Sequence, residues 1–229
     1  MSLPTTVDGV IARLREIDAK LPAHDGVAVF NQMYLTVTER MAAIIAGPAP
    51  GAPTFRDPQR MADLDIRFAS LWLAAVNADA TGQTVSPAWR PLFEARAGGR
   101  LPVQYAIAGM NSHIEHDLPL AVVDLCLAHG LQPRDVHADY DAVNDVLAEV
   151  ESGIRRSFLD TVERAADDRI GPVVHLVSTW DIDHARDLSW VTAETIWALR
   201  HLSFLHNRFL DGLAHTVGMT SRALLTPLA

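Results

Sequence analysis

Residues 109–120 place three groups capable of chemistry inside a run that is otherwise apolar. His113 and Asp117 are one helical turn apart and His116 lies between them, so a helix holds all three side chains within an arc of roughly 100°. Burying such groups costs free energy unless they bind one another, water or a metal. The pattern is compatible with a metal site, an acid–base pair or a self-contained hydrogen-bond network.

A second concentration of polar groups lies at residues 180–190. Asp183 and Asp187 share a helical face, and Arg186 can pair with either carboxylate. Trp180 and Trp190 are side chains of the kind that line small-molecule pockets. The simpler interpretation is a helix junction, with Asp183 as the N-cap, Arg186 as a bridge and both tryptophans in the core.

Two further histidine–aspartate pairs have the same spacing of four residues. They are His137 with Asp141 and Asp211 with His215. Because 10 histidines and 28 acidic residues produce about two or three such pairs by composition alone, their number is not evidence of a site. We interpret both pairs as surface or capping groups.

Composition and absent motifs exclude several classes of function. The net charge is −9 and Lys20 is the only lysine, which argues against binding to a nucleic-acid backbone. The sequence has no glycine-rich phosphate loop, dinucleotide fingerprint or serine-esterase elbow. Cys126, the only cysteine, lies among aliphatic residues and is interpreted as an inert core residue. No signal peptide or membrane span is recognisable, so we expect a cytoplasmic protein.

Apolar residues recur at helical spacing almost throughout the chain. We predict an all-α, single-domain bundle of about six to eight helices over residues 1–229. The run at residues 173–177 has strand character but no partner strand, and is assigned to a helix. The first predicted helix is capped by Thr5 or Thr6, and the last covers about residues 186–225. Between them we predict long helices at about 27–46, 58–78, 103–130 and 139–165, a short helix near Trp89 and a further helix that begins after residues 171–172.

The helix predicted at 103–130 carries the first motif and has apolar residues on every face, which indicates a central position. Pro119 removes a backbone hydrogen bond to the carbonyl of Glu115, so we expect a kink at the motif.

Four stretches of this chain resemble the signatures of a family of uncharacterised bacterial proteins, a domain of unknown function. They are residues 29–34, 108–119, 137–140 and 186–190, and the resemblance covers nearly the whole chain. It implies a single all-helical domain and no particular reaction. The family pattern usually has Asn where this chain has Glu115. A much weaker similarity joins His113-x-x-x-Asp117-x-Pro119 to zinc-dependent phospholipase C-like hydrolases, but this chain begins Met-Ser-Leu and lacks the N-terminal tryptophan ligand of that family.

Two hypotheses from different classes remain open. In the first, the protein is a metal-dependent hydrolase of a small or lipid-like substrate, with a divalent metal that acidifies a bound water. In the second, it is a noncatalytic binding or scaffold protein whose polar cluster fixes helix register. The sequence also leaves a homo-oligomer open.

The hydrolase hypothesis assigns a role to each candidate residue. Arg186 stabilises developing negative charge, Tyr140 orients the substrate, and Asp187 shares their site. The predicted metal ligands are His113, His116, Asp117, Asp139 and Asp183, and the predicted substrate pocket comprises Asn31, Tyr34, Asn111, Trp180 and Trp190.

Overall fold

The computed structural model describes residues 3–47, 54–144, 147 and 181–227, and every regular element in these ranges is helical. The prediction of an all-α fold is confirmed. In chain order the elements are α1 (Val7–Lys20), α2 (Gly26–Ala46), α3 (Pro58–Ala80), α4 (Arg90–Ala95), α5 (Pro102–Ser112), a π-helical turn (His113–Asp117), α6 (Leu118–His129), a 3-10 turn (Pro133–Asp135), α7 (from 137, described to 144), α8 (Ile182–Leu199) and α9 (Ser203–Leu224).

Side-chain caps fix the starts of the first three helices. Thr6 accepts a hydrogen bond from the Gly9 amide at 3.1 Å, as the sequence predicts. Asp25 caps α2 and Asp57 caps α3 in the same way. Each cap satisfies an amide that the helix itself leaves without a partner.

The central element is the run α5, π-helical turn and α6, which continues from residue 102 to 129. Its first half packs against α2, α4 and α9, and its second half against α3 and α8. Gly109 lets α2 approach closely, because a Cβ at this position would lie 2.2 Å from the Phe30 ring. This approach brings the α2 aromatic residues next to the polar motif.

The π-helical turn coincides with the motif. The Leu118 amide donates to the carbonyl of His113, five residues back. Pro119 follows and has no amide to donate, so the regular pattern is already broken there. The π-helical turn was not predicted, and turns of this kind are found frequently at functional sites. The kink expected at Pro119 stays a prediction.

Two predicted helix boundaries at the C-terminal end are wrong. The helix predicted at 186–225 is two helices, α8 and α9, which are interrupted at residues 200–202. Arg200, the residue after α8, donates to the Trp197 carbonyl at 2.5 Å and lies over the Trp197 ring, and the interruption contains no glycine or proline. In addition, Asp181 rather than Asp183 is the N-cap of α8, and accepts from the Asp183 and His184 amides.

Several predicted features lie outside the described residues. They are Trp180, the run at 173–177, the helix after 171–172, and most of the helix predicted at 139–165.

The described helices enclose two large hydrophobic clusters and a small third one of Ala88, Ala214 and Val217. One is rich in aromatic residues and lies between α1, α2, α3, α4 and α5, with Phe30, Trp72 and Trp89 among its most buried members. The other lies between α3, α6, α7 and α8 and contains Cys126. Burial raises the pKa of the Cys126 thiol to about 11, which supports its interpretation as an inert core residue. None of the described helices is long and apolar enough to cross a membrane.

Candidate functional site

The centre of the site is the carboxylate of Asp117, which is 1% exposed. Its Oδ2 accepts a hydrogen bond from Trp89 Nε1 at 2.9 Å and lies 3.1 Å from His113 Nδ1. Its Oδ1 lies 2.7 Å from His116 Nδ1. Burial alone would raise the Asp117 pKa, but the bonds from the two histidines outweigh it and hold the pKa below the ordinary value.

An ionised Asp117 fixes the tautomer of both imidazoles. A carboxylate only accepts hydrogen bonds, so Nδ1 of His113 and of His116 must each carry a proton. When either ring is neutral, its Nε2 atom therefore has a free lone pair. Asp117 acts on both rings as an orienting group.

His113 is the more deeply buried of the two histidines, at 3% exposed. Burial lowers its pKa, and the opposing effect of Asp117 is smaller, so the ring is neutral at pH 7. Among the described residues, no hydrogen-bond partner lies within reach of His113 Nε2. The structure therefore holds a neutral imidazole with an unused proton acceptor in the protein interior.

Aromatic rings surround His113. Phe68 stacks on the imidazole with ring centroids 3.6 Å apart, and Tyr34 meets it edge to face at 4.4 Å. The ring centroids of Phe30 and Trp89 lie 5.8 and 5.9 Å from that of His113. Phe68 is the one of these four residues that is partly exposed.

Two more polar atoms near this ring set are buried, and the one on Asp65 has no hydrogen-bond partner in the described part of the chain. They are the hydroxyl of Tyr34 and Oδ2 of Asp65. Burial and then the nearby Asp65 raise the Tyr34 pKa well above its ordinary value, with a smaller contribution from Asp117 and an opposing one from Thr38. Burial also raises the Asp65 pKa to about 7.

Asp65 and Trp89 are site residues that the sequence analysis missed. The signal for Asp65 is its position on the buried face of α3, one turn before Phe68. Burial of a carboxylate there costs free energy, which points to a special role. Trp89 gives no comparable signal, because its indole reaches Asp117 only through tertiary packing.

Tyr140, Arg186 and Trp190 form a separate cluster between α7 and α8. The Tyr140 hydroxyl donates to the Arg186 carbonyl at 2.8 Å, and Arg186 Nη2 donates to the Tyr140 carbonyl at 2.6 Å. The guanidinium lies over the Tyr140 ring, 4.1 Å from its centroid, and also binds the side chain of Asn144. Trp190 packs on Tyr140 with centroids 4.9 Å apart. Between described residues, no hydrogen bond, ion pair or ring contact joins this cluster to His113, His116 or Asp117.

The remaining predicted acids occupy other positions. Both oxygens of Asp139 accept from backbone amides, those of Arg56 at 2.7 Å and Asp57 at 3.1 Å, and so anchor the start of α3. Asp183 and Asp187 are exposed on the first turns of α8. In the described ranges, no three His, Cys, Asp or Glu side chains form a group that could hold a metal ion.

The predicted pocket amides bind other helices. Asn31 donates to the Leu14 carbonyl at 2.9 Å and to Asp18, and accepts from Trp72. Asn111 donates to the Val217 carbonyl at 3.1 Å and to Ser221. Of the described pocket residues, Tyr34 is the one with a ring contact to His113.

The fold and the site define an all-helical protein with a buried aspartate that orients two histidines. The chain belongs to the family of unknown function DUF5995, whose model matches residues 7–227. The resemblance to an all-helical family of unknown function is thereby confirmed. Neither a curated protein nor a solved structure matches the chain.

Proposed function

We propose that this protein is a hydrolase in which His113 is the general base and Asp117 is the residue that positions it. The observation that carries the proposal is the set of three N–H groups around Asp117, from Trp89, His113 and His116. This set holds the carboxylate ionised and leaves His113 Nε2 as the free acceptor.

A general base needs a free lone pair, a suitable pKa and support for the cation that it becomes. His113 is neutral at pH 7, so its Nε2 can take a proton from water. The imidazolium then carries two N–H groups, and Nδ1 keeps its bond to the negatively charged Asp117 at 3.1 Å. A positioned base of this kind accelerates a reaction by about 10²–10⁴-fold.

The surroundings of His113 favour a small uncharged substrate. Phe30, Tyr34 and Phe68 present apolar rings, and a charged molecule would lose its hydration without gaining a counter-ion there. An ester with a short acyl group has the required chemistry, because water attack on its carbonyl needs proton removal. In this proposal the substrate reaches His113 when Phe68, the partly exposed residue of the ring set, rotates away.

A metal-dependent version of this reaction stays a prediction from the sequence. Histidines that bind metals commonly donate their other N–H to a carboxylate, as His113 and His116 do to Asp117. In that version Asp117 orients the ligands rather than binding the metal.

The noncatalytic alternative also has an observation in its favour. Asn31, Asn111, Asp139 and Arg186 are all buried polar residues bound to other helices or to backbone, so the Asp117 network resembles these structural links. A scaffold role predicts that the network affects stability and no reaction.

Hydrolysis of a panel of phenyl and alkyl acetates by the purified protein separates these functions. We expect turnover by the wild type and a loss of about 100-fold or more in His113→Gln and Asp117→Asn. His129→Gln is the matched control, because it removes a histidine bonded to Asp63 at 2.7 Å on the protein surface. It should keep full activity. No turnover by the wild type, or a fully active His113→Gln variant, refutes the proposal.

A further inference from the structure

We propose that Asp65 is the proton donor that acts opposite His113. This inference rests on the proposed hydrolase function and extends it from a base to a base and acid pair. It starts from two buried polar atoms that have no hydrogen-bond partner among the described residues, His113 Nε2 and Asp65 Oδ2.

The positions of α2 and α3 bring these atoms into one region. Phe68 stacks on His113, and Asp65 lies one turn earlier on the same inward face of α3. Tyr34 contacts both rings, with centroids 4.4 Å from His113 and 6.0 Å from Phe68. Its hydroxyl is within electrostatic range of both Asp65 and Asp117.

The two carboxylates of this region have opposite environments. Asp117 accepts three N–H groups, two of them from histidines, and is ionised. Among the described residues no hydrogen bond or ion pair to Asp65 is observed, and burial is the one cause of its raised pKa. Asp65 therefore keeps its proton close to neutral pH, while Asp117 does not. Titratable groups whose environments separate their pKa values in this way supply the acid and the base of many enzymes.

These groups account for every proton transferred in the hydrolysis of an ester. A water molecule loses a proton to His113 Nε2 while its oxygen bonds to the acyl carbon. The bond from that carbon to the leaving oxygen then breaks, and the leaving oxygen receives the Asp65 proton, directly or across the Tyr34 hydroxyl. The imidazolium finally returns its proton and the Asp65 carboxylate regains one. The net change consumes one water and yields an acid and an alcohol.

Dependence of the rate on the leaving group tests this role. A proton donor is needed for a poor alkoxide leaving group and hardly at all for 4-nitrophenolate. We therefore expect Asp65→Asn to slow ethyl acetate hydrolysis by about 100-fold and 4-nitrophenyl acetate hydrolysis by less than about 3-fold. Tyr34→Phe should affect the same substrates in the same direction, and His113→Gln should slow all of them.

Each outcome decides the inference. Equal effects of Asp65→Asn on both esters, or no effect on either, overturn the role of Asp65 and leave His113 as the base. A wild type that hydrolyses no ester overturns the role of Asp65 together with the proposed function.

A second measurement does not depend on the folding of the Asp65→Asn variant. Infrared spectra of the wild-type protein at pH 6 should contain a protonated carboxyl band that disappears by pH 9. Asp65→Glu, which keeps an acid, should retain a band of this type. Absence of any protonated carboxyl band in the wild type at pH 6 overturns the inference.

Discussion

Replacement of Asp65 by asparagine should change how the stability of the protein depends on pH. In the folded protein, burial raises the Asp65 pKa from the ordinary 3.8 to about 7. Since each unit is worth about 1.4 kcal/mol, the ionised side chain costs the folded state about 4 kcal/mol relative to the protonated one. Asparagine has nearly the same shape and no ionisation, so it removes this cost.

The sign of the effect follows from which state ionises first. Near pH 3 Asp65 is protonated in both states and contributes no pH dependence. Between about pH 4 and pH 7 it ionises only in the unfolded chain, so the wild type loses about 1.4 kcal/mol of stability per unit. Above pH 7 both states are ionised and the loss is complete. The stability of Asp65→Asn relative to the wild type should therefore rise by about 4 kcal/mol from pH 4 to pH 8.

Urea unfolding followed by circular dichroism at several pH values measures this difference. Asp63→Asn is the matched control on the same helix, because Asp63 is partly exposed and bonded to Arg67 and His129. Its stability should stay within about 1 kcal/mol of the wild type at each pH. A difference between Asp65→Asn and the wild type that is constant to within about 1 kcal/mol, or that falls with pH, refutes the description of Asp65 as a buried acid.

Three further predictions follow from the site and the fold. Asp117→Asn should lower the free energy of unfolding at pH 7 by about 1–3 kcal/mol in urea titrations, because it leaves a buried N–H of Trp89 or a histidine without its acceptor. An unchanged free energy of unfolding would contradict the observed network. Elemental analysis of the purified wild type should find less than about a tenth of an equivalent of Zn, Mn, Fe, Co or Ni, and addition of these metals should not shift the unfolding temperature. A metal that is present stoichiometrically and stabilises the protein would favour the metal-dependent form of the hydrolase. If the chain is a single domain, as we propose, unfolding curves from tryptophan fluorescence and circular dichroism should coincide, and two separate transitions would count against this.

Helix positions and caps are the part of the structure that the sequence predicts best. The apolar periodicity of residues 27–46 and 58–78 locates α2 and α3 to within two residues at their ends, and Thr6 is one of the two caps expected for α1. These features are local, since they depend on residues within one or two turns of each other. The break at residues 200–202 has no comparable signal in the sequence, because it contains neither glycine nor proline.

The sequence predicts the part of the candidate site that depends on local spacing, and it does not predict the part that depends on tertiary packing. His113, His116 and Asp117 are neighbours on one helical run, so their association is visible in the sequence. The Trp89 indole is 28 residues away from Asp117 in the chain, and only packing brings it there. Spacing also cannot show which polar groups are already satisfied, as Asp139 is by two backbone amides.

The protonation state of His113 tests the central claim most directly. Long-range ¹H–¹⁵N NMR spectra of the wild-type protein, with His113→Gln used to assign the signals, distinguish the two tautomers and the imidazolium. We predict a proton on Nδ1, an unprotonated Nε2 at pH 7, and a pKa below the ordinary 6.5. A proton on Nε2, or a His113 imidazolium at pH 7, would contradict the account of this ring as a neutral base oriented by Asp117.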